Sequence, residues 1–588
     1  MYSELLPKRL VSFVLIVSFA LIGLVPSGFA QSSPEPALFS YRRVSPDVSQ
    51  LLAAPSVRIL GLRHFARVVG PVPVSVQVFD DVGISKIELY ADQTLLATYN
   101  VIPGITNVLA PFIWNSAATT NGKHMLSARA YDAEGNVQTA AVVIICRNYN
   151  MSAPVGNSIA LNPFARYQTI TGWEATAEAA QFYSPAWNNY KNNLLDQAVN
   201  DLGLNRVRLE IKSGIENPTD YFAQWQAGQI TESQYNAKRY EIINDNSDPN
   251  NVNPSGFKWS SVDRTVDSIV VPMRQRLAAR GEQLWVNVNY VDFGSSTFEH
   301  KNSPNEYAEF VLATYQHLQN TYGFVPNSWE VILEPDTSAA GWSSSQVAQA
   351  IKAAGDRLLA NGFTPNFVAP STTDAGNAPN YIDQIAQTQG AMQYVGQFAY
   401  HRYAGGTTSI IQQIAARATT YGKTTGMQEW IGADHNTLHQ DLKVGNNSSW
   451  QQFTLAGPIS WGSDSGDRYY IVDDTNVSNP VLTMGSRTKF LRQYFKFIRA
   501  GAQRIGALTG NANFDPVAFI NPNGKYVVVV KASTGGNFSI QGLPPGTYGI
   551  KYTTSGLYNI DLNDITILPS QVLSTNIPGV GVITVYAK

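Results

Sequence analysis

The chain has 588 residues, enough for about three or four domains and a large core. Lys and Arg total 41 against 43 Asp and Glu, a formal net charge of −2, so no basic footprint exists for a phosphate backbone or an anionic membrane, and nucleic acid is excluded as a partner. Only 14% of residues are charged while Asn, Ser, Thr, Gly and Tyr are plentiful, a neutral polar composition that fits an extracellular protein.

In chain order, Lys8 and Arg9 precede the apolar run Leu10 to Val25, followed by Pro26, Ser27, Gly28, Phe29 and Ala30. This is the layout of a secretory signal peptide over residues 1–30, cleaved between Ala30 and Gln31. An uncleaved anchor is the alternative, but the run is slightly short for a span and no later stretch is apolar enough for one. The prediction is export, to the exterior or a periplasm, with no membrane association after cleavage. Residues 31–55 hold Pro, Ser and Ala without periodicity and read as a linker.

Residues 56–148 change pattern. Val74 to Asp80, Ile84 to Tyr90 and Met125 to Asp132 each alternate apolar with polar and end at Gly, Asp or Asn, which predicts a separate N-terminal β-sandwich of about 90 residues. Cys146, the one cysteine, closes the apolar run Ala140 to Cys146 and is expected to be a buried strand residue. The segments Asp80 to Tyr90 and Asn121 to Asn136 resemble bacterial immunoglobulin-like modules, which implies a spacer.

From residue 158 to 505 the rhythm becomes strand then helix, repeated. The predicted strands are Tyr167 to Trp173, Asn205 to Lys212, Gln283 to Tyr290, Ser328 to Glu334, Asn366 to Ser371, Gln397 to Tyr403, Thr424 to Glu429 and Phe453 to Trp461. Helices run over Pro185 to Leu202, Val262 to Arg280, Pro304 to Tyr322, Ser343 to Asn361 and, last, Leu482 to Arg499. Eight such units predict an α/β fold, a closed (β/α)8 TIM barrel. A polar insertion from Ser213 to Ser260, rich in Asn, Asp, Tyr and Trp, is long enough to wall a cleft at the rim. Residues 506–588 return to short strands, Val517 to Asn521, Lys525 to Ala532, Tyr548 to Thr553 and Val580 to Tyr586, and read as a C-terminal β-sandwich side domain. The strand-like Ile159-Ala-Leu161 is placed to pair with that sheet.

Two acids stand at strand ends. Glu334 follows Val331-Ile-Leu333 and precedes Pro335, which cannot continue a ladder, and Glu429 closes Thr424 to Glu429. They are 95 positions apart, and a barrel unit averages roughly 31 residues, so three units of about 94 place them on strands four and seven. The C-terminal rim is the catalytic face of such a barrel. A single strand-end Glu more often caps a helix or pairs with Arg. Two at matching rims can protonate a leaving oxygen from one side and attack an anomeric carbon from the other.

The barrel and C-terminal domain resemble the family-30 glycoside hydrolases, within a larger clan of barrel glycosidases with acids on strands four and seven. The resemblance rests on Gln168 to Trp173, Leu202 to Arg208, Leu333-Glu-Pro335, His401 to Gly406, Gln428-Glu-Trp430 and Phe490 to Ile505, and covers roughly residues 158–588. It implies a secreted retaining glycosidase that cleaves β-linked bonds of a polysaccharide or glycoconjugate, with Glu334 as acid/base and Glu429 as nucleophile. Arg208, at the rim where Arg206 sits deeper, would lie beside the nucleophile. His401 and Tyr403 share a face of strand six where similar enzymes bond nucleophile or substrate. Trp461, Trp430 and Trp173 are candidate sugar platforms, each equally readable as barrel filling.

Two departures from the pattern stand out. The clan's Asn before the acid/base, which grips the 2-hydroxyl, is Leu333 here, and Asn289 is the candidate to replace that contact. The small Gly pair after Gly172 is replaced by Trp173-Glu174-Ala175. No metal is expected: His435 and His439 are four apart but read as a solvated helix face. No phosphate loop or nucleophilic Ser elbow is present and no cofactor is implied. The same residues also fit a non-catalytic carbohydrate-binding or adhesion protein on a glycosidase barrel, or a transglycosylase. Asn150, Asn446, Asn476 and Asn537 begin glycosylation acceptor triplets.

Overall fold

In a computed structural model of the chain, the residues described are 54–68, 71–116, 119–120, 122–146, 154–294 and 296–588. The signal-peptide reading, most of the linker reading and Asn150 lie outside them. The barrel strands are β1 (Gly172–Thr176), β2 (Arg206–Lys212), β3 (Trp285–Val291), β4 (Ser328–Glu330), β5 (Phe367–Asp374), β6 (Val395–Ala404), β7 (Thr424–Glu429) and β8 (Asn447–Pro458). Each pairs in parallel with the next, and β1 also pairs with β8, closing the sheet into a TIM barrel.

Alternation along the strands sorts the two faces. Val207, Leu209 and Ile211 of β2, with Val286, Val288 and Tyr290 of β3, join the apolar core that includes the surrounding helices. Their alternates are polar: Arg206, Arg208, Asn287 and Asn289 are buried. They meet Glu174 of β1 and Glu330 of β4 inside the barrel, where Asn287 donates to both carboxylates. Branched apolar side chains usually fill such an interior. A charged, hydrogen-bonded filling is costly unless satisfied and marks this region as more than packing.

The N-terminal module is the expected sandwich. One sheet comprises Ser56–Leu60, Pro71–Phe79 and Asn107–Asn115, and the other Ala66–Val68, Ile84–Ala91, Thr94–Asn100, Gly122–Asp132 and Val137–Cys146. Val72, Val74, Val76 and Val78, with Trp114 of the same sheet, share its core with Ile87 and Leu89 of the other, and Cys146 is buried there.

Three expectations are corrected. The first barrel strand is Gly172–Thr176, because the chain switches sheets at Gly172: Ser158–Thr169 pairs with Gln503–Thr509 and belongs to the C-terminal sheet. Gly172 has φ 145°, and a Cβ there would lie 2.5 Å from Asn205 Oδ1 and 2.7 Å from Arg206 Cγ, so the switch requires glycine. The eighth strand begins earlier, at Asn447, and Trp461 ends a short 3₁₀ turn beyond it. Val481–Met484 is a strand paired antiparallel with Arg468–Asp473, so the last helix is only Thr488–Phe495.

The C-terminal β-sandwich takes in nine strands, including Ser158–Thr169 and three not anticipated from sequence, Gly536–Gln541, Ile560–Ile567 and Leu573–Ile577. His439 is not on a solvated face. The helix His435–Lys443 docks on this sheet, so His439 is buried, its Nδ1 2.9 Å from Tyr494 Oη and its Nε2 3.3 Å from Asp515, while His435 stacks on Phe490. Among the described residues no helix is long and apolar enough to cross a membrane.

Candidate active site

The site is built upward from the polar interior. At its base Arg206 Nε donates to Glu174 Oε2 at 2.7 Å, and Asn287 bridges Glu174 and Glu330 at 3.2 and 3.0 Å. Glu330, fully buried, accepts the Ser371 hydroxyl. With its proton so committed, Ser371 Oγ is placed to accept from His401 Nε2, 3.3 Å away, and the ring's other nitrogen is Nδ1. That Nδ1 is 3.0 Å from Glu334 Oε1.

Glu429 has different company. Arg208 Nη2 donates to its Oε2 at 2.5 Å and the Tyr403 hydroxyl to its Oε1 at 2.8 Å. A guanidinium and a phenol on the two oxygens suit an ionised carboxylate. Burial works to lower the Arg208 pKa, but the carboxylates of Glu429, Glu330 and Glu210 prevail and hold the guanidinium above its ordinary value. The Tyr403 phenol is raised by burial and by the Glu429 charge, so it stays a donor.

The two halves converge. One polar atom each of Glu334, His401 and Glu429 lie within 4.8 Å of one another. Such a trio has the donors for a metal, but Glu429 is already answered by Arg208 and Tyr403, and Glu334 by His401. Glu334 reaches this position through a left-handed backbone, φ 53°, rare for a side chain of its size and costing about 1–3 kcal/mol. Hydrogen bonds from its amide to the Ser371 carbonyl and from Thr337 to its own carbonyl hold the bend.

The other residues singled out from sequence separate by exposure. Tyr403 and Trp461 are 40% and 39% exposed, and Trp430 is half-buried under the Arg402 guanidinium. These three border open space. Trp173 does not: it is fully buried, stacks on Phe495 at 4.6 Å and donates Nε1 to the Ile498 carbonyl. It is barrel filling and no sugar platform. Arg208 and His401, also fully buried, touch the two acids and present no surface to a substrate. Asn289 is buried too, in register with Glu210 and Glu330, and neither atom of its amide has a hydrogen-bond partner. It does not reach the surface where a sugar hydroxyl would sit. Leu333 is buried.

Sequence reasoning overlooked Glu330, Ser371, Glu174 and Glu210. The signal was available for Glu330, an acid inside the apolar stretch Ser328 to Leu333 and four residues before Glu334. Glu210 follows Arg208 on the same face of β2, accepts from Lys212 at 2.5 Å, and is held down to about 2, where burial opposes but Lys212 and Arg208 prevail. A row of rings in the cleft wall was also missed. Trp461 meets Tyr183 edge-on at 6.3 Å, Tyr183 lies 5.5 Å from Trp225, and Trp225 stacks on Tyr235 at 5.0 Å.

Comparison with known proteins bears on the fold. Residues 501–542 match the glycosyl hydrolase family 30 beta sandwich domain, and residues 55–128 match a bacterial Ig domain. The chain resembles glycoside hydrolase family 30. Its fold is shared with a family-30 endoxylanase from Clostridium papyrosolvens (16% identity, 73% of this chain and 100% of that one, TM-score 0.52). It is shared equally with a subfamily 8 family-30 xylanase from Clostridium acetobutylicum (18% identity, 74% and 100%, TM-score 0.52). An endo-β-1,6-glucanase aligns over 86% of this chain and 100% of its own at 13% identity and TM-score 0.52. No curated protein matches by sequence.

Proposed function

We propose that the protein is an exported retaining glycoside hydrolase that cleaves β-linked bonds in a polysaccharide or glycoconjugate, with Glu429 as nucleophile and Glu334 as acid/base. The observation that carries this reading is that one oxygen of each carboxylate lies within 4.8 Å of the other at the C-terminal rim, close enough for both to act on one glycosidic bond. Retaining glycosidases hold their carboxyl groups about 5 Å apart, whereas inverting ones need roughly 6.5–9.5 Å to admit a water.

The surroundings supply the roles. Glu429, charged and fixed by Arg208 and Tyr403, attacks the anomeric carbon. Glu334, held 3.0 Å from His401 Nδ1, is assigned as the acid that gives its proton to the departing glycosidic oxygen. In the second step Glu334, now a carboxylate, takes a proton from water as that water displaces Glu429 from the sugar, restoring both groups. Ser371 and Glu330 act through His401 and position it. The Trp461–Tyr183–Trp225 row offers stacking faces for successive sugar rings. Export follows from the charge, apolar run and small residues of the N-terminal thirty residues.

Leu333 favours a second reading. An aliphatic side chain beside Glu334 offers nothing to a 2-hydroxyl, as in a carbohydrate-binding protein that keeps the barrel without its chemistry. Hydrolysis of a panel of aryl β-glycosides and β-linked polysaccharides by wild type and Glu429→Gln separates the two. Turnover by wild type, reduced by several orders of magnitude in the variant, supports the hydrolase. Equal inertness of both proteins, with glycan binding retained, supports the second reading.

A further inference from the structure

Apart from the catalytic pair, the insertion after β2 meets the helix Pro304–Tyr322 at a group of acids. One carboxylate oxygen each of Asp245, Glu306 and Glu309 lie within 4.8 Å of one another. Glu309 is 1% exposed, and both of its oxygens are buried without a hydrogen-bond partner. Asp245 Oδ1 and Glu306 Oε2 are buried and unpartnered in the same way. The remaining Asp245 oxygen accepts from Asn253 N at 2.6 Å and Asn246 Nδ2 at 2.9 Å, which fixes the side chain with its free oxygen toward the group. Glu216 closes the arrangement from behind, accepting from the Asp245 amide at 3.2 Å while its second oxygen faces His300. Among the described residues no Lys or Arg pairs with Asp245, Glu306 or Glu309.

Four carboxylate oxygens buried without partners, two from Glu309 and one each from Asp245 and Glu306, are unstable as they stand with nothing positive paired to them. Either a proton or a cation must sit among them. A shared proton satisfies one pair of oxygens and leaves two more buried without partners. A cation answers all four at once.

We propose that Asp245, Glu306 and Glu309 form a calcium site that fastens the cleft-wall insertion to the barrel. Oxygens held about 2.4 Å from one ion lie no more than about 4.8 Å apart, a limit that one oxygen of each acid meets. All the donors are hard oxygens, so a soft or nitrogen-preferring metal is a poor fit. Asp245 sits on an irregular loop, Asn244 to Asn253, of the kind calcium accepts and magnesium, with its rigid octahedron, does not. The loop belongs to the insertion that carries Trp225 and Tyr235, so the ion would set how firmly that wall is held. The proposal stands independently of the catalytic reading.

The test is thermal unfolding of the mature chain after chelation, then with calcium or magnesium added, alongside calorimetric titration with calcium chloride. Calcium is expected to raise the melting temperature of wild type by about 2 °C or more through selective binding to the folded state. In Glu309→Gln the rise disappears, and the metal-free variant melts at or above metal-free wild type because a buried like charge is gone. Glu306→Gln, at a half-buried position, shows the same loss of response if the first variant folds poorly. A wild type that melts identically in chelator and calcium overturns the site, and that result together with a stabilised Glu309→Gln is the signature of a proton alone. An undiminished response in both variants, or an equal response to magnesium, also overturns it.

Discussion

Arg208→Met tests how the site keeps its nucleophile charged. The Arg208 guanidinium is fully buried, 2.5 Å from Glu429 Oε2, and its Nη1 is 3.5 Å from the Gln428 carbonyl, so water cannot replace it when it is removed. Two unit charges about 4 Å apart at an effective dielectric of about 20 interact by about 4 kcal/mol, and removing one partner of a buried pair typically costs about 3–5 kcal/mol because the other is left uncompensated. Glu429 would retain only Tyr403. At about 1.4 kcal/mol per decade the expected loss in kcat/KM on an aryl β-glycoside is roughly 10²–10³-fold. Arg208→Lys should recover only part of it, since one ammonium cannot reproduce the planar fork that meets Glu429 and the Gln428 carbonyl together. Circular dichroism on each variant separates a chemical effect from unfolding. A folded Arg208→Met protein within about tenfold of wild type would refute the claim that this cation sustains the nucleophile.

Tyr403→Phe removes one hydrogen bond from Glu429 at an exposed position, so steady-state assays should show about a 10–100-fold fall in kcat with little change in melting temperature. Trp173→Ala deletes a buried ring stacked on Phe495, and chemical denaturation should report a loss of about 3–5 kcal/mol, while KM of the folded protein stays unchanged. Glu210 in the folded protein is held down to about 2, below its ordinary 4.5, so the stability it contributes is complete above pH 4.5 and is lost as the pH falls toward 2. Melting of Glu210→Gln across that range should show a deficit against wild type at neutral pH that closes at the acid end; a gap of constant size would contradict the assigned pairing.

The barrel was legible because its strands place apolar residues at alternate positions and are separated by helical periodicity, with Glu429 at the end of its strand and Glu334 just beyond its own. The first strand was misplaced because Tyr167 to Trp173 reads as one extended run, and only Gly172, whose missing side chain admits Asn205 and Arg206, marks the change of sheet. Strands such as Ile560–Ile567 escaped notice because Asp561, Asn563 and Asp564 interrupt the apolar positions Ile560, Leu562, Ile565 and Ile567 that pack toward the core. At the site, rim position and residue type were visible for Arg208 and Tyr403. Which acid His401 touches was not, because that depends on a bend at Glu334 and on Ser371, a residue with no chemical distinction of its own. Trp173 shows the limit of residue type: a tryptophan near a strand end fits a platform or a core, and only its burial against Phe495 decides.

The most direct measurement is to trap the intermediate. Incubation with activated 2-deoxy-2-fluoro-β-glycosides of the sugars the protein hydrolyses, followed by proteolysis and peptide mass spectrometry, should find one glycosyl unit on the peptide carrying Glu429 and none after Glu429→Gln. A label on any other residue, or steady hydrolysis that leaves no label and releases the inverted anomer first, would contradict the account.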